Sequence, residues 1–80
     1  MKFYVYAIQS ISGRVYIGQT GNLEERLKKH NAGTVKSTKK EGPWTLIKTK
    51  EFLTREEARF FEWSLKRSKG SRIKWMTSAP

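Results

Sequence analysis

The chain has 80 residues, the size of one small domain, and we predict a single domain over residues 1–80. The absence of cysteine from the sequence excludes disulfides, Cys-ligated zinc, iron–sulfur clusters and thiol nucleophiles. The one histidine, His30, excludes a multi-histidine metal site. The longest unbroken apolar run, Phe3 to Ile8, is too short for a membrane span or a signal sequence, so we expect a soluble, cytoplasmic protein.

Charge is the first positive indication of function. Lys and Arg number 17 against seven acidic residues, all of them Glu, which gives a net charge of +10. Such an excess favours a polyanionic partner, because each phosphate contact releases condensed counterions. Ribosomal proteins and lysine-rich surfaces produce the same signal. The charge therefore predicts a nucleic-acid partner without deciding between DNA and RNA.

The first twenty residues predict an antiparallel hairpin. Phe3 to Gln9 are β-branched and aromatic, and both sides of their alternation are apolar, which predicts a strand covered on both faces. Ser10 to Gly13 supply a turn, and Arg14 to Gln19 predict the second strand. Gly18 within that strand indicates either a close backbone approach or bulge, or simply a strand that ends near Thr20.

A helix and a loop follow the hairpin. Asn22 and Glu25 form a capping box, and the predicted helix runs to about Asn31, with Gly33 as the residue that ends it. Residues 34–43 are polar and basic without periodicity. We predict a mobile loop there.

The second half predicts a strand and a helix. Trp44 to Leu53 resemble a third strand. Thr54 and Glu57 form another capping box, so a second helix begins there and runs to about Ser68, where Gly70 can end it.

The last residues complete the predicted architecture. Ser71 to Met76 predict one short helical turn that packs Ile73 and Trp75. The order is β-β-α-β-α with a short C-terminal helix. We therefore predict an α+β fold with a three-stranded antiparallel sheet flanked by helices.

Glu62 lies at the edge of the apolar stripe of the second helix, about 40° from Ala58 on a helical wheel. A carboxylate in such a position must be paired, protonated or bound to a cation. One interpretation is an ion pair with Lys66 or Arg59. The other is a ligand for a hard divalent ion, which takes one or two carboxylates together with phosphate and water.

Other polar and aromatic side chains also allow two interpretations. Arg26 and His30 stand four residues apart, so they share one face of the first helix, which is either solvated or functional. Tyr4, Tyr6 and Tyr16 cluster in the hairpin, where aromatic side chains most often belong to the core.

Taken together, these residues resemble the GIY-YIG nuclease family. Its two tripeptides correspond to Tyr4-Val5-Tyr6, with Tyr4 where glycine is usual, and to Tyr16-Ile17-Gly18, which matches letter for letter. Arg26 stands on the helix where the family carries an arginine, His30 follows one turn later, and Glu62 stands on the later helix. The chain is similar to small stand-alone members related to the nuclease domain of the bacterial excision-repair endonuclease.

The resemblance covers residues 3 to about 68 and implies metal-dependent hydrolysis of phosphodiester bonds. It implies one Mg²⁺ or Mn²⁺ ion bound by Glu62, and a scissile phosphate bound by Arg26. One tyrosine would take the proton from the attacking water. We prefer Tyr6 as this base and Tyr16 as the residue that orients the water, although the sequence does not decide between them.

The same resemblance gives roles to further residues. His30 would hold a phosphate or assist proton transfer, and Gly18 would give its strand room beside the substrate backbone. No asparagine follows Glu62, whereas several relatives use one late in the domain. Basic side chains would contact phosphates without reading sequence. They are Lys36, Lys39, Lys40, Arg67, Lys69 and Arg72.

Three functions stay open at this level. The first is a metal-dependent endonuclease that acts on DNA, either structure-selective or related to repair. The second is a catalytically inactive nucleic-acid-binding module on the same fold, and the third is a small RNA-associated or protein-interaction domain. DNA is the expected partner, with RNA as the open alternative, and we expect a monomer or weak dimer with no membrane contact.

Overall fold

The computed structural model describes residues 2–36, 38 and 41–78, and its elements follow the order β-β-α-β-α-α. The strands are β1 (Phe3–Ser10), β2 (Val15–Thr20) and β3 (Trp44–Phe52). The helices are α1 (Leu23–Asn31), α2 (Arg55–Arg67) and α3 (Lys69–Thr77). The strands form one antiparallel sheet in the order β2-β1-β3, so β1 is central and β2 is an edge. The predicted α+β architecture is confirmed.

The β1–β2 hairpin forms where the turn residues predicted it. Gly13 adopts a positive φ of 95°, which favours glycine, and its amide donates to the Ser10 carbonyl at 2.9 Å. The resulting register places Tyr6 opposite Gly18 and Ile8 opposite Tyr16. Both residues of each pair therefore point to the same face of the sheet.

The central strand is buried on both faces, as its two apolar alternations predicted. One face carries Val5 and Ala7, which pack with Leu65 of α2 and with side chains of α3. The opposite face carries Tyr6 and Ile8, which pack with Trp44 of β3 and with leucines of α1 and β3. The structure therefore has two thin cores separated by one sheet, and β1 contributes to both.

Side-chain caps set the helix boundaries. The Asn22 side chain accepts from the Glu25 amide, and Thr54 does the same for Glu57, as both capping boxes predicted. The end of α2 differs from the prediction. Ser68, with an extended φ of −123°, both ends α2 and caps α3, while Gly70 lies in the first turn of α3. A serine side chain that accepts from the Ser71 amide replaces the glycine stop.

The last helix is longer than the predicted single turn, and only part of its predicted packing forms. Trp75 packs edge-on against Phe61, with ring centroids 5.4 Å apart. Ile73 was predicted to pack but remains 47% exposed, because α3 turns Trp75 and Met76 toward the core instead. In the described part of the chain, no helix combines the length and apolarity that crossing a membrane requires.

The segment predicted as a mobile loop is attached to the domain through Thr38. Thr38 is buried, its amide donates to the Val35 carbonyl at 3.1 Å, and its carbonyl accepts from the Glu41 amide at 3.2 Å. The buried Thr38 side chain therefore packs the middle of this segment against the domain. Lys39 and Lys40 lie outside the described residues.

Gly18 lies under the Tyr6 ring. A Cβ atom built on Gly18 would stand 2.6 Å from the Tyr6 hydroxyl and 3.1 Å from the Tyr16 ring. β2 ends at Thr20, as one of the two interpretations predicted, and its regular pairing at Gly18 excludes a bulge there. The close approach is that of a neighbouring tyrosine side chain.

We expect Gly18→Ala to lower the free energy of unfolding by about 1–3 kcal/mol, because the added methyl group overpacks a buried site. Urea unfolding followed by circular dichroism measures the change. Gly21→Ala is the matched control, since its Cβ would meet Phe3 at an ordinary 3.6 Å. Equal stabilities of the two variants would contradict this packing role.

Candidate active site

The Tyr6 hydroxyl is the centre of a buried polar cluster. The side chain is 1% exposed and reaches from the central strand toward α1. Its oxygen lies 2.8 Å from His30 Nε2 and accepts from Arg26 Nε at 3.4 Å. Because Arg26 and His30 stand one helical turn apart, a single face of α1 delivers both partners to one oxygen atom.

The hydrogen bonds continue from His30 to Thr38 and from Thr38 to the Val35 carbonyl. His30 Nδ1 lies 2.8 Å from Thr38 Oγ1, and the Thr38 hydroxyl donates to the Val35 carbonyl at 3.5 Å. A hydroxyl that donates to a carbonyl is free to accept from a protonated Nδ1. Nε2 is then an acceptor for the Tyr6 hydroxyl. The cluster thus favours the tautomer of neutral His30 that carries its proton on Nδ1.

The segment that carries Thr38 is held against the site by Trp44 and Asn31. The Trp44 indole donates to the Thr38 carbonyl at 3.1 Å. The Asn31 side chain accepts from the Trp44 amide at 2.6 Å and donates to its carbonyl at 3.2 Å. These three positioning residues were not identified from the sequence, because a lone Thr, Asn or Trp carries no local pattern that marks it.

Tyr16 lies on the edge strand β2, where side chains from both sides of the sheet approach its ring. Its ring centroid is 5.0 Å from that of His30 and 6.4 Å from that of Tyr6. On its other side, Lys66 of α2 places its ammonium 5.6 Å from the Tyr16 ring centroid. An open cavity of about 420 Å³ lies beside this edge. Its lining residues are Val15, Tyr16, Ile17, Lys66 and Arg72.

Glu62 stands one turn before Lys66 on α2. Its side chain is 18% exposed, and its carboxylate lies 2.7 Å from Lys66 Nζ, which is the predicted ion pair. Burial is the main cause of the raised pKa of Tyr6, and the negative charge of Glu62 is the smallest of its causes. Glu62 is therefore half-buried and paired with the Lys66 ammonium group.

The donor set fits a hard divalent ion bound partly by substrate. Within residues 2–36, 38 and 41–78, no three His, Cys, Asp or Glu side chains cluster as a metal cage. Mg²⁺ commonly takes one or two carboxylates and completes its shell with phosphate oxygens and water. One half-buried carboxylate beside a cation-lined cavity suits that mode of binding.

The electrostatics keep both Tyr6 and His30 neutral. Burial raises the pKa of the Tyr6 phenol, and the hydrogen bond from Arg26 opposes that rise. Burial, followed by the charge of Arg26, lowers the pKa of His30 below its ordinary value of 6.5. A protonated phenol therefore faces an unprotonated imidazole nitrogen.

The structure brings five of the predicted residues into this region: Tyr6, Tyr16, Arg26, His30 and Glu62. The interpretation of His30 as part of a solvated helix face is wrong, because His30 is fully buried. Of the predicted phosphate contacts, Arg72 lines the cavity, while Lys36 and Lys69 are exposed and are not among its lining residues. Arg67 lies over Trp63 on the outer face of α2.

Residues 2–75 match the GIY-YIG catalytic domain family, and the chain belongs to that family. It is 37% identical over 67 residues to the UPF0213 protein BH0048 of Halalkalibacterium halodurans, spanning 82% of this chain and 71% of that protein. A UPF0213 protein of Streptococcus pneumoniae serotype 4 is 39% identical over 69 residues, spanning 85% and 70%. The family resemblance predicted from the tripeptides is confirmed.

A solved structure supports the same relationship. The solution NMR structure of the UPF0213 protein BH0048 from Bacillus halodurans superposes with a TM-score of 0.60 at 32% identity. The match covers 100% of this chain and 89% of that chain. The arrangement of sheet and helices described above is therefore shared with that relative.

We expect stability to fall as the pH drops below about 6.5. Because folding depresses the pKa of His30, the unfolded chain binds a proton more readily, and acidification favours unfolding until folded His30 is also protonated. Urea unfolding at several pH values measures the effect. NMR titration of the chain's one histidine gives its folded pKa and tautomer directly. A folded pKa at or above 6.5, or a proton on Nε2, would contradict the cluster described here.

Proposed function

We propose that the chain is a divalent-metal-dependent endonuclease that hydrolyses phosphodiester bonds in DNA, with residues 1–80 acting as one nuclease domain. One observation carries the proposal. The Tyr6 hydroxyl is held between His30 Nε2 at 2.8 Å and Arg26 Nε at 3.4 Å. Membership of the GIY-YIG catalytic domain family supports it independently.

The cluster supports proton transfer from an attacking water through Tyr6. A phenol with a raised pKa is a poor base alone, but its own proton has an acceptor in hydrogen-bond contact. In the proposed step, the water gives a proton to the Tyr6 oxygen while the phenol proton moves to His30 Nε2. Tyr6 stays neutral, and His30 becomes an imidazolium. The Thr38 hydroxyl stabilises this imidazolium by accepting a hydrogen bond from its Nδ1. His30 thus assists proton transfer rather than holding a phosphate.

Arg26 is the proposed partner of the scissile phosphate. Its Nε–H donates a hydrogen bond to the Tyr6 hydroxyl, and the remaining guanidinium N–H groups can bind phosphate oxygens in a bidentate manner. As the water oxygen bonds to phosphorus, negative charge accumulates on the phosphate, and the 3′-oxygen leaves with the electron pair of its broken bond and takes a proton from solvent. Arg26 offsets that charge, and Tyr16 orients the water from the cavity side.

Glu62 is the residue that would hold Mg²⁺ or Mn²⁺. When bound, the ion supplies Lewis-acid stabilisation of the phosphate and of the departing 3′-oxygen. Lys66 and Arg72 line the adjacent cavity, which supports their proposed role as contacts of the phosphate backbone. Lysines and arginines of this kind contact phosphates without reading bases, which supports selection of substrate by shape, as in repair intermediates.

We expect purified protein to cleave labelled DNA with Mg²⁺ or Mn²⁺ and not with EDTA. Glu62→Gln should lower the cleavage rate at least about 100-fold, because it removes the carboxylate proposed to hold the metal. Gel-resolved time courses on duplex, flapped and single-stranded DNA, and on RNA, measure the rates.

Glu24→Gln is the matched control for Glu62→Gln. Glu24 also forms an i,i+4 ion pair, with Lys28 at 3.6 Å, but it stands exposed on α1. Cleavage that survives both EDTA and Glu62→Gln would contradict the proposal. Tight, salt-sensitive binding with no cleavage under either metal would select the inactive nucleic-acid-binding module instead.

We expect Tyr6→Phe to lower the cleavage rate at least about 100-fold and DNA affinity in EDTA much less, because it removes the proposed proton path together with the hydroxyl that Arg26 contacts. Tyr16→Phe should reduce the rate less, since Tyr16 only orients the water. The wild-type rate should also fall as the pH drops through the lowered pKa of His30. A larger loss in Tyr16→Phe than in Tyr6→Phe would reverse the proposed assignment.

A further inference from the structure

The outer face of α2 exposes two large aromatic side chains. Phe60 is 69% exposed and Trp63 is 51% exposed, and their ring centroids lie 5.8 Å apart with an interplanar angle of 37°. The opposite face of α2 supplies Ala58 and Leu65 to the core. Two adjacent exposed aromatic rings in a chain with a thin core indicate a contact surface rather than unused packing.

Positive charge flanks these rings. The Arg67 guanidinium carbon lies 5.0 Å from the Trp63 ring centroid. Arg59 is exposed and stands one turn before Trp63, while Glu56 is the acidic residue one turn before Phe60. We call Arg59, Phe60, Trp63 and Arg67 the aromatic ridge.

The aromatic ridge begins beside the candidate active site. At 100° per residue, Lys66 lies between Glu62 and Trp63 around the circumference of α2. Lys66 also contacts the Glu62 carboxylate and faces the Tyr16 ring. An α-helix is only about 10–12 Å in diameter. One nucleic-acid strand can therefore contact both the ridge and the region of Glu62.

We infer that the aromatic ridge binds unpaired nucleobases of the substrate strand next to the cleaved phosphate. The inference rests on the proposed nuclease function and names the substrate feature that the site selects. Exposed aromatic rings stack on the π-face of any base, and adjacent arginines neutralise the neighbouring phosphates. In a duplex the bases are stacked on one another, so the ridge gains its contacts only from flapped, gapped or single-stranded segments.

A polyanionic strand fits this surface better than a second copy of the chain does. Two ridges face to face would bring together Arg59 and Arg67 of both copies, with only Glu56 of each to offset them. The net charge of +10 adds to that repulsion. A nucleic-acid strand instead supplies flat bases for the rings and negative charge for the arginines.

The test is binding in EDTA, which separates the ridge from cleavage. Fluorescence anisotropy gives the affinities of wild type, Trp63→Ala and Phe60→Ala for labelled oligo(dT), for an abasic strand of equal charge, and for duplex DNA. Each alanine variant should bind oligo(dT) at least about five-fold more weakly and duplex DNA nearly as wild type does. Trp63→Phe should restore most of the loss, and the abasic strand should bind wild type as weakly as oligo(dT) binds Trp63→Ala.

Controls separate stacking from charge and from general hydrophobicity. Ile11→Ala removes an 85% exposed apolar side chain from the hairpin turn and should change nothing. The aromatic variants should leave the salt dependence of oligo(dT) affinity unchanged, whereas Arg67→Ala should reduce its slope by about 0.7, the contribution of one cation.

Equal wild-type affinity for oligo(dT) and the abasic strand, or unchanged oligo(dT) affinity in Trp63→Ala, overturns the inference and leaves the nuclease proposal standing. Binding to no nucleic acid at all overturns both. A wild-type dimer in sedimentation that Trp63→Ala converts to monomer, with oligo(dT) affinity unchanged, assigns the ridge to self-association instead.

Discussion

The buried Tyr6 hydroxyl is the constraint on which the rest of the structure depends. A polar atom in the middle of the central strand destabilises the fold unless it is hydrogen-bonded. Its partners, His30 and Arg26, both come from α1, so satisfying Tyr6 also docks α1 on the sheet. The ring needs space as well, and Gly18 on the paired strand leaves that space.

The residue that forms a hydrogen bond with the buried Tyr6 hydroxyl brings a second buried polar atom that also needs a partner. Once His30 is buried beside Tyr6, its second ring nitrogen also needs a partner, and Thr38 supplies a hydroxyl at 2.8 Å. Trp44 and Asn31 then hold the segment that carries Thr38. A fully satisfied chain of this kind orders the site, because each member has one favourable orientation. The same burial that demands these bonds also keeps the imidazole neutral.

Residues from both sides of the sheet approach one another at the edge strand β2. Tyr16 stands with Tyr6 and His30 on the α1 side, yet Lys66 of α2 reaches its ring from the opposite side. The proposed proton path and the proposed metal ligand therefore come from different cores and meet at one edge. The aromatic ridge extends that edge along the outer face of α2, so one helix carries the metal ligand and the surface proposed to select unpaired bases.

Sequence alone determined the features that arise from local patterns. Capping boxes at Asn22 and Thr54 and the two apolar alternations of β1 predicted the element order, and the tripeptides with Arg26, His30 and Glu62 predicted the family. Tertiary structure decided what depends on distant neighbours: the burial of His30, the place of Thr38 beside it, the reason for Gly18 and the exposure of Trp63. A helical period shows which residues share a face, but only packing decides which face is covered.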